Sequence, residues 1–360
     1  MSGPAPAASW PDVLTRLVSG CDLTHDEAAW AMDRVFSGDA TPSQVAGFVI
    51  ALRAKGETVE ELRALADVML AHAHRFQAPA ESIDIVGTGG DRAHTVNIST
   101  MSAIVLAGAG LQVVKHGNRA ASSSSGSADV LESLGVDLRL SPADVASVGE
   151  RAGITFCFAQ AFHPSMRHAA TTRRELGIGT VFNMLGPLTN PAQPTYAAVG
   201  VADVRVAPLM AGVFAARGRE AVVFRGGDGL DELTLAGPSD LWWVRGGQIV
   251  LDTLTPGEVG LAEAPLSALR GGEPAHNAEV VRELLAGRGS DGAGWPVRDA
   301  VLLNAGTALA LARGAARLAG DRPSLLAALR AGIDAAAATL DSGAAAAVLD
   351  RWVSATRAPA

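Results

Sequence analysis

From Ser82 onward the apolar residues of this chain fall into short runs that switch between strand-like and helix-periodic patterns, and this alternation limits the possible fold more than any other feature. Residues 83–86, 113–115, 154–159, 196–201 and 221–224 read as strands. Between them, 104–109, the residues after Gly126, those after Ser141-Pro142 and 209–216 repeat at helical spacing. Strands separated by helices form a central, mainly parallel sheet with helices on its faces. Loops at the carboxyl ends of such strands gather along one edge, where an α/β protein binds its ligand. The stretch 235–249, with Trp242-Trp243-Val244 ahead of Gly246-Gly247, predicts an added antiparallel hairpin, so the sheet is expected to be mixed. The alanine-rich end from Asp299 reads as helix with a packing role alone.

Ahead of this alternation, residues 9–76 read as helices. Thr24 with Glu27, Thr41 with Gln44 (and Pro42 at the first helical position) and Thr58 with Glu61 are capping boxes. Val45, Phe48, Val49 and Leu52 follow at helical spacing, and Gly38 and Gly56 stand at C-terminal caps. This is a small all-α domain without clustered chemistry. His72 and His74, two apart, face different sides of a helix and read as surface residues. A length of 360 residues suits two domains, here 1–77 and 78–360.

Net charge is −8 and no basic stripe occurs, which argues against a nucleic-acid partner. The two cysteines, Cys21 and Cys157, lack metal-ligand spacing and suit a reducing compartment. Residues 1–9 have neither a basic start nor an apolar core, and no apolar run is long enough for a membrane span, so a cytoplasmic location is expected. Only Lys55 and Lys115 are lysines, which hints that a compact ammonium is needed at those places.

Four stretches carry the chemistry. Gly87-Thr88-Gly89-Gly90-Asp91 ends the first strand; it fits neither the dinucleotide pattern, since Arg92 takes the last glycine position, nor a P-loop. A bare turn of this kind is commonly structural, but Thr95, Asn97, Ser99 and Thr100 follow just before an apolar helix. Hydroxyls and N–H groups at a helix start suit a pyrophosphate and its metal. The second stretch, 115–135, runs from a strand through Lys115-His116-Gly117-Asn118-Arg119 and four serines into another helix. Its glycine-rich loop offers free N–H groups, and Lys115 and Arg119 bring positive charge to an anion.

His163-Pro164 opens the third, with Arg167, Arg173 and Arg174 behind it. On one unbroken helix His163 and Arg173 would stand about 15 Å apart, so they bracket one substrate only if that helix is broken or a tunnel follows it. The fourth, Asp231-Glu232, lies after the turn 226–229, with Asp228 read as turn chemistry. Adjacent loop carboxylates can hold one or two magnesium ions against a pyrophosphate, although such pairs are commonly plain surface.

The run 84–91 followed by 95–100, the run 115–135, the run 173–191 and Gly227-Asp228-Gly229-Leu230-Asp231-Glu232 resemble, in order, the signatures of the anthranilate phosphoribosyltransferases. These enzymes join anthranilate to phosphoribosyl pyrophosphate (PRPP) in tryptophan synthesis, and the resemblance spans roughly residues 10–350. It implies a small helical domain, joined in space by about 174–192, and a large α/β domain, with the fold of the pyrimidine nucleoside phosphorylases and the active site in the cleft between. It implies a homodimer through the helical domain. Around PRPP it implies Gly87, Gly90 and Asp91; Thr95, Asn97, Ile98, Ser99 and Thr100; then Lys115, His116, Gly117, Asn118 and Arg119, with Ala120, Ala121, Ser122, Ser123 and Ser127. For anthranilate it implies Gly87, Asn118, His163, Arg173, Gly186 and Pro187, with positioning roles for Asn118, His163 and Arg173. For magnesium, two ions in our reading, it implies Ser99, Asp231 and Glu232. Val96 stands where the family commonly has Phe, and Met166 where some members have an aromatic residue, which affects the edge of the anthranilate path. A pyrimidine nucleoside phosphorylase and a non-catalytic nucleic-acid-binding paralogue remain alternatives at this point.

Overall fold

The computed structural model describes residues 8–120, 124–290, 294–317 and 319–357. The chain begins with four helices, Trp10–Val18, His25–Ser37, Pro42–Lys55 and Val59–Ala71. The last three start where their caps predict: Thr24, Thr41 and Thr58 all close full capping boxes, and Gly38 ends the second helix at φ 80°. Their apolar stripes meet in a core containing Met32, Phe36, Phe48, Leu52, Leu62 and Leu65. Lys55 lies buried at one end of this bundle, where its three N–H donors meet Asp22 Oδ1 (2.6 Å), the Gly56 carbonyl (2.6 Å) and Glu61 Oε2 (3.0 Å). His72 departs from the expectation of a surface histidine: it is half-buried, its Nε2 lying 2.9 Å from Asp33 Oδ1.

The larger part is built on seven strands, β1 (Ile83–Gly87), β2 (Val113–Gly117), β3 (Ile154–Phe158), β4 (Tyr196–Gly200), β5 (Glu220–Gly226), β6 (Ser239–Arg245) and β7 (Gln248–Leu254). They lie in the order β3-β2-β1-β4-β5-β6-β7; β1 to β5 are parallel, and β6 and β7 form the expected antiparallel hairpin through Gly246 and Gly247, both left-handed. Alternate strand residues serve opposite faces. Ile83, Ile85, Ala198, Val222 and Phe224 pack under the helices Ile98–Gly108, Pro296–Ala312, Arg322–Asp341 and Ala344–Arg357. Val86, Ala197, Val199, Val223 and Val244 share the opposite core with the helix Val206–Ala216 and the N-terminal bundle. Contact there is close: a Cβ on Gly212 would stand 2.5 Å from Val59 Cγ2. Phe182 stacks on Phe36 at 6.4 Å, so the segment after the helix Arg167–Leu176 also joins this core.

The chain leaves β1 for β2 on one side and later returns to place β4 on the other. Their carboxyl ends therefore diverge at the β1–β4 seam, the usual ligand position in such a sheet. Gly87 and Gly200 are paired across that seam.

Candidate active site

A cavity of about 690 Å³ opens over the seam, a size suited to a metabolite. Its floor is the turn from Gly87 to Asp91. A Cβ on Gly87 would lie 2.2 Å from Asp231 Oδ2, and one on Gly200 would lie 1.7 Å from the Asp231 carbonyl oxygen. Two glycines at one strand pair thus make room for one acidic loop. Asp231 Oδ2 then accepts the Gly89 N–H at 2.6 Å, and Glu232 Oε1 accepts the Ser99 N–H at 3.1 Å. The helix carrying Ser99 begins at Ile98, six residues ahead of the apolar run that marks it in the sequence, so Ser99 lies in its first turn.

Both acids are buried. Burial, and then the neighbouring Asp91 carboxyl, pushes Asp231 up to about 7. Burial and then Asp231 push Glu232 well above the ordinary carboxylate range. Two buried carboxylates at a cavity wall, beside the Ser99 hydroxyl, are a hard-oxygen donor set suited to magnesium. Among the described residues no group of three or more His, Cys, Asp or Glu side chains could hold a metal ion by itself. Magnesium takes one or two carboxylates and completes its shell with water and substrate phosphate.

Of the residues expected around the phosphoribosyl group, Gly87, Gly90, Asp91, Thr95, Asn97, Ile98 and Ser99 line the cavity, as do His116, Gly117, Asn118, Arg119, Ala120 and Ser127. Ala121, Ser122 and Ser123 lie outside the described residues. Lys115 and Thr100 do not line it; both are fully buried behind its wall. The Lys115 side chain turns inward, donating to the Ile85 carbonyl (2.5 Å) and to Ser99 Oγ (3.2 Å). Burial lowers its pKa, while Asp84, Glu232 and Asp231 pull it back up. The guanidinium of Arg119 is likewise engaged: it grips Glu132 through two bonds (2.6 and 2.8 Å) and Asp129 through one (3.0 Å). Both side chains are therefore engaged within the protein, Arg119 by two acids and Lys115 by a carbonyl and a hydroxyl, with buried acids nearby. Asp129 also takes the Ala120 and Gly126 N–H groups (3.0 and 2.9 Å), fixing both ends of the serine loop. Among the described residues Arg92, which the sequence reading used only to exclude a dinucleotide motif, lines the cavity without an ion-pair partner.

On the far side the helix does break, as joint use of His163 and Arg173 requires. His163 (φ −120°, ψ 63°) precedes a three-residue turn, Pro164–Met166, and the helix Arg167–Leu176 starts afresh. Both side chains, with Gly186 and Pro187, line the same cavity, and so does Met166. The Arg173 guanidinium lies over the Phe182 ring at 5.3 Å, and burial lowers its pKa. His116 and His163 rings are 5.1 Å apart. His116 Nδ1–H donates to the Gly186 carbonyl at 2.9 Å, leaving its Nε2 and both ring nitrogens of His163 without a partner. Burial brings His116 down to about 4 and His163 to about 3, so both are neutral near pH 7.

Four polar residues bonded around the site, Asp84, Asn190, Asn277 and Asn304, belong to no expected site. Asp84 (with Asn190) supports the strand end under Lys115: Asn190 Nδ2 donates to Asp84 Oδ2 (2.8 Å) and to the Val114 carbonyl (2.7 Å). Asn277 Nδ2 donates to Asn97 Oδ1 at 2.8 Å, while Asn97 Nδ2 reaches the Ser125 carbonyl at 3.1 Å. The C-terminal helices, assigned to packing alone, touch the acidic loop through Asn304, bonded to the Leu233 N–H (2.9 Å) and carbonyl (3.1 Å). The signal available was a lone amide or acid inside an apolar run, which burial makes costly unless it is paired.

Residues 11–73 match the sequence model of the glycosyl transferase family helical bundle domain, and residues 79–346 that of the family's a/b domain. The anthranilate phosphoribosyltransferase of a Nocardioides species is 60% identical over 97% of this chain and 99% of its own. The crystal structure of the Thermus thermophilus anthranilate phosphoribosyltransferase matches with a TM-score of 0.86 at 41% identity, covering 96% of this chain and 100% of that one. The Saccharomyces cerevisiae anthranilate phosphoribosyltransferase in complex with PRPP and Mg matches with a TM-score of 0.86 at 29% identity, covering 97% of this chain and 98% of that one.

Proposed function

The chain belongs to the anthranilate phosphoribosyltransferase family, and from that membership and the cavity described above we propose how its own side chains perform the family's reaction. The enzyme transfers the phosphoribosyl group of PRPP to the amine of anthranilate, releasing pyrophosphate. The similarities support this reading and not a pyrimidine nucleoside phosphorylase or a nucleic-acid-binding paralogue.

The observation that carries the assignment of roles is the position of Asp231, seated on the Gly87–Gly200 pair with Glu232 beside Ser99. Ser99, Asp231 and Glu232 would hold magnesium, two ions in our proposal. An ion held by these three residues would supply positive charge against the departing pyrophosphate. The Gly87–Asp91 turn lets the backbone approach the phosphates, and Asn97 and Thr95 offer polar groups at the helix start. Arg92, exposed at the rim, adds a cation that the protein does not neutralise elsewhere.

Arg173 suits the anthranilate carboxylate, because a guanidinium pairs with a planar carboxylate through two bonds. Its lack of an acid partner among the described residues supports that role. The aromatic amine is neutral at pH 7 and is already a nucleophile, so the site needs no strong general base. His163 and His116, neutral and with bare ring nitrogens, are suited to orient that amine by hydrogen bonding, with Asn118 between the two substrates. The reaction is thus driven by positioning and by charge stabilisation on the leaving group.

The division at residues 77 and 78, with 174–192 returning to the helical part, forms part of the same proposal. So does a homodimer through the helical domain, supported by Val18 and Ile50, apolar and exposed on its surface. Among the described residues no helix is long and apolar enough to cross a membrane, and both cysteines are free, which supports a reducing compartment such as the cytoplasm. Loss of anthranilate fluorescence on adding PRPP, magnesium and protein tests the activity; persistence of fluorescence with all three present would overturn it.

A further inference from the structure

Asn304 lies fully buried in the helix Pro296–Ala312. Both ends of its amide are engaged: Oδ1 accepts the Leu233 N–H at 2.9 Å, and Nδ2 donates to the carbonyls of Leu233 (3.1 Å) and Ala300 (2.9 Å). A primary amide is the neutral side-chain group able to pair with the N–H and the C=O of one residue together, as a neighbouring strand would. Leu233 directly follows Glu232, whose carboxylate meets the Ser99 N–H, and Asp231, whose carboxylate meets the Gly89 N–H.

The downstream side of this loop is held from within. Thr234 Oγ1 donates to Asp228 Oδ2 at 2.7 Å, and the Thr234 N–H donates to Ser239 Oγ at 3.1 Å. Beneath it, Gly200 sets the height of the Asp231 carbonyl. Among the described residues, Asn304 is the side chain of the C-terminal helices that bonds to the loop.

We propose that Asn304 is a positioning residue for the acid pair: by pinning Leu233 it holds Asp231 and Glu232 at the cavity wall, and so sets how tightly a divalent cation accompanies PRPP. This rests on the functional reading given above. Without the amide, the Leu233 N–H and C=O lose their partners in a dry interior, and the loop relaxes toward water to recover them. Groups that orient metal ligands from behind commonly change metal affinity ten- to a hundredfold when removed.

The test is calorimetric titration of the full-length protein with PRPP across a series of magnesium concentrations, comparing wild type, Asn304→Ala and Leu311→Ala. Leu311 is buried in the same helix, about two turns further on, and its truncation lowers stability while leaving the Asn304–Leu233 bonds in place. The expected result is a rise of about tenfold or more in the magnesium concentration giving half-maximal PRPP binding for Asn304→Ala, with Leu311→Ala unchanged. A midpoint for Asn304→Ala within about twofold of wild type, or an equal shift in Leu311→Ala, overturns the proposal. If Asn304→Ala does not fold, Asn304→Leu, which keeps the branched shape of Asn without its polar atoms, replaces it; a shift supports the role and no shift overturns it. A wild-type protein that binds PRPP equally well without magnesium defeats the functional reading itself, a separate outcome.

Discussion

The Lys115 ammonium lies 3.2 Å from the Ser99 hydroxyl, on the protein side of the cavity wall. It is a fixed internal counter-charge for Asp84, Glu232 and Asp231 rather than a hand extended to a phosphate. Its Nζ also caps the Ile85 carbonyl at 2.5 Å, tying the centre of β1 to the first turn of the helix that carries Ser99. The buried acids and the buried cation hold one another in place.

Replacing Lys115 by Met tests this arrangement. The change keeps the apolar stem and removes the charge, leaving the Ile85 carbonyl and the Ser99 hydroxyl without their buried donor. Removing a charged hydrogen-bond donor from a buried site costs about 1.5–3 kcal/mol, and chemical denaturation should show a loss of that order. A loss below about 1 kcal/mol would mean that Lys115 is not that counter-charge.

Gly200→Ala should be severe out of proportion to its size. The new methyl would meet the Asp231 carbonyl at 1.7 Å, so the acidic loop has to move. Overpacking of this kind costs about 1–3 kcal/mol, and PRPP binding should fall with it. Gly179→Ala, with open space around its Cβ, is the matched control and should change neither stability nor binding. Equal behaviour of the two variants would count against the close seating of Asp231.

Arg173→Ala should raise the KM for anthranilate about tenfold or more while leaving the KM for PRPP within about twofold, since a lost charged contact is worth at least about 1.4 kcal/mol. Steady-state kinetics with each substrate varied in turn makes the check. A parallel rise in both constants would remove Arg173 from the acceptor side.

His163 gives the pH dependence a definite sign. Burial lowers its folded-state pKa to about 3, below the ordinary imidazole value, so between pH 7 and 5 the unfolded chain takes up a proton that the folded protein refuses. Stability from this group is present above about pH 6.5 and lost as pH falls, by about 2 kcal/mol on reaching pH 5. Asp84, pushed up to about 6 by burial, acts in the opposite direction over part of that range. Comparing wild type with His163→Gln isolates the histidine: urea midpoints should fall further in wild type between pH 7 and 5. Equal losses would place a charged or solvated imidazole at this position.

Much of this architecture is legible in the sequence because its signals are local. Caps at Thr24, Thr41 and Thr58, the Gly246-Gly247 turn and the β-rich runs each specify their own neighbourhood. The acids and glycines of the cavity are legible too, since polar density at strand ends has few other uses. What the sequence hides is direction. Lys115 follows a strand and precedes a loop, and nothing in that context says that its side chain points behind the wall. Arg119 is visible as a cation, but its acceptors lie ten and thirteen residues on, at Asp129 and Glu132, and meet it only after the loop folds back. Asn304 and Asn277 act across 71 and 180 residues, a distance no periodic pattern spans.

The most direct measurement is a crystal structure of this protein with PRPP and magnesium. PRPP should lie over the β1–β4 seam, with its pyrophosphate against the Gly87–Asp91 turn and metal density at Ser99, Asp231 and Glu232. PRPP bound elsewhere, or a seam left empty with those three residues bare of metal, would contradict it.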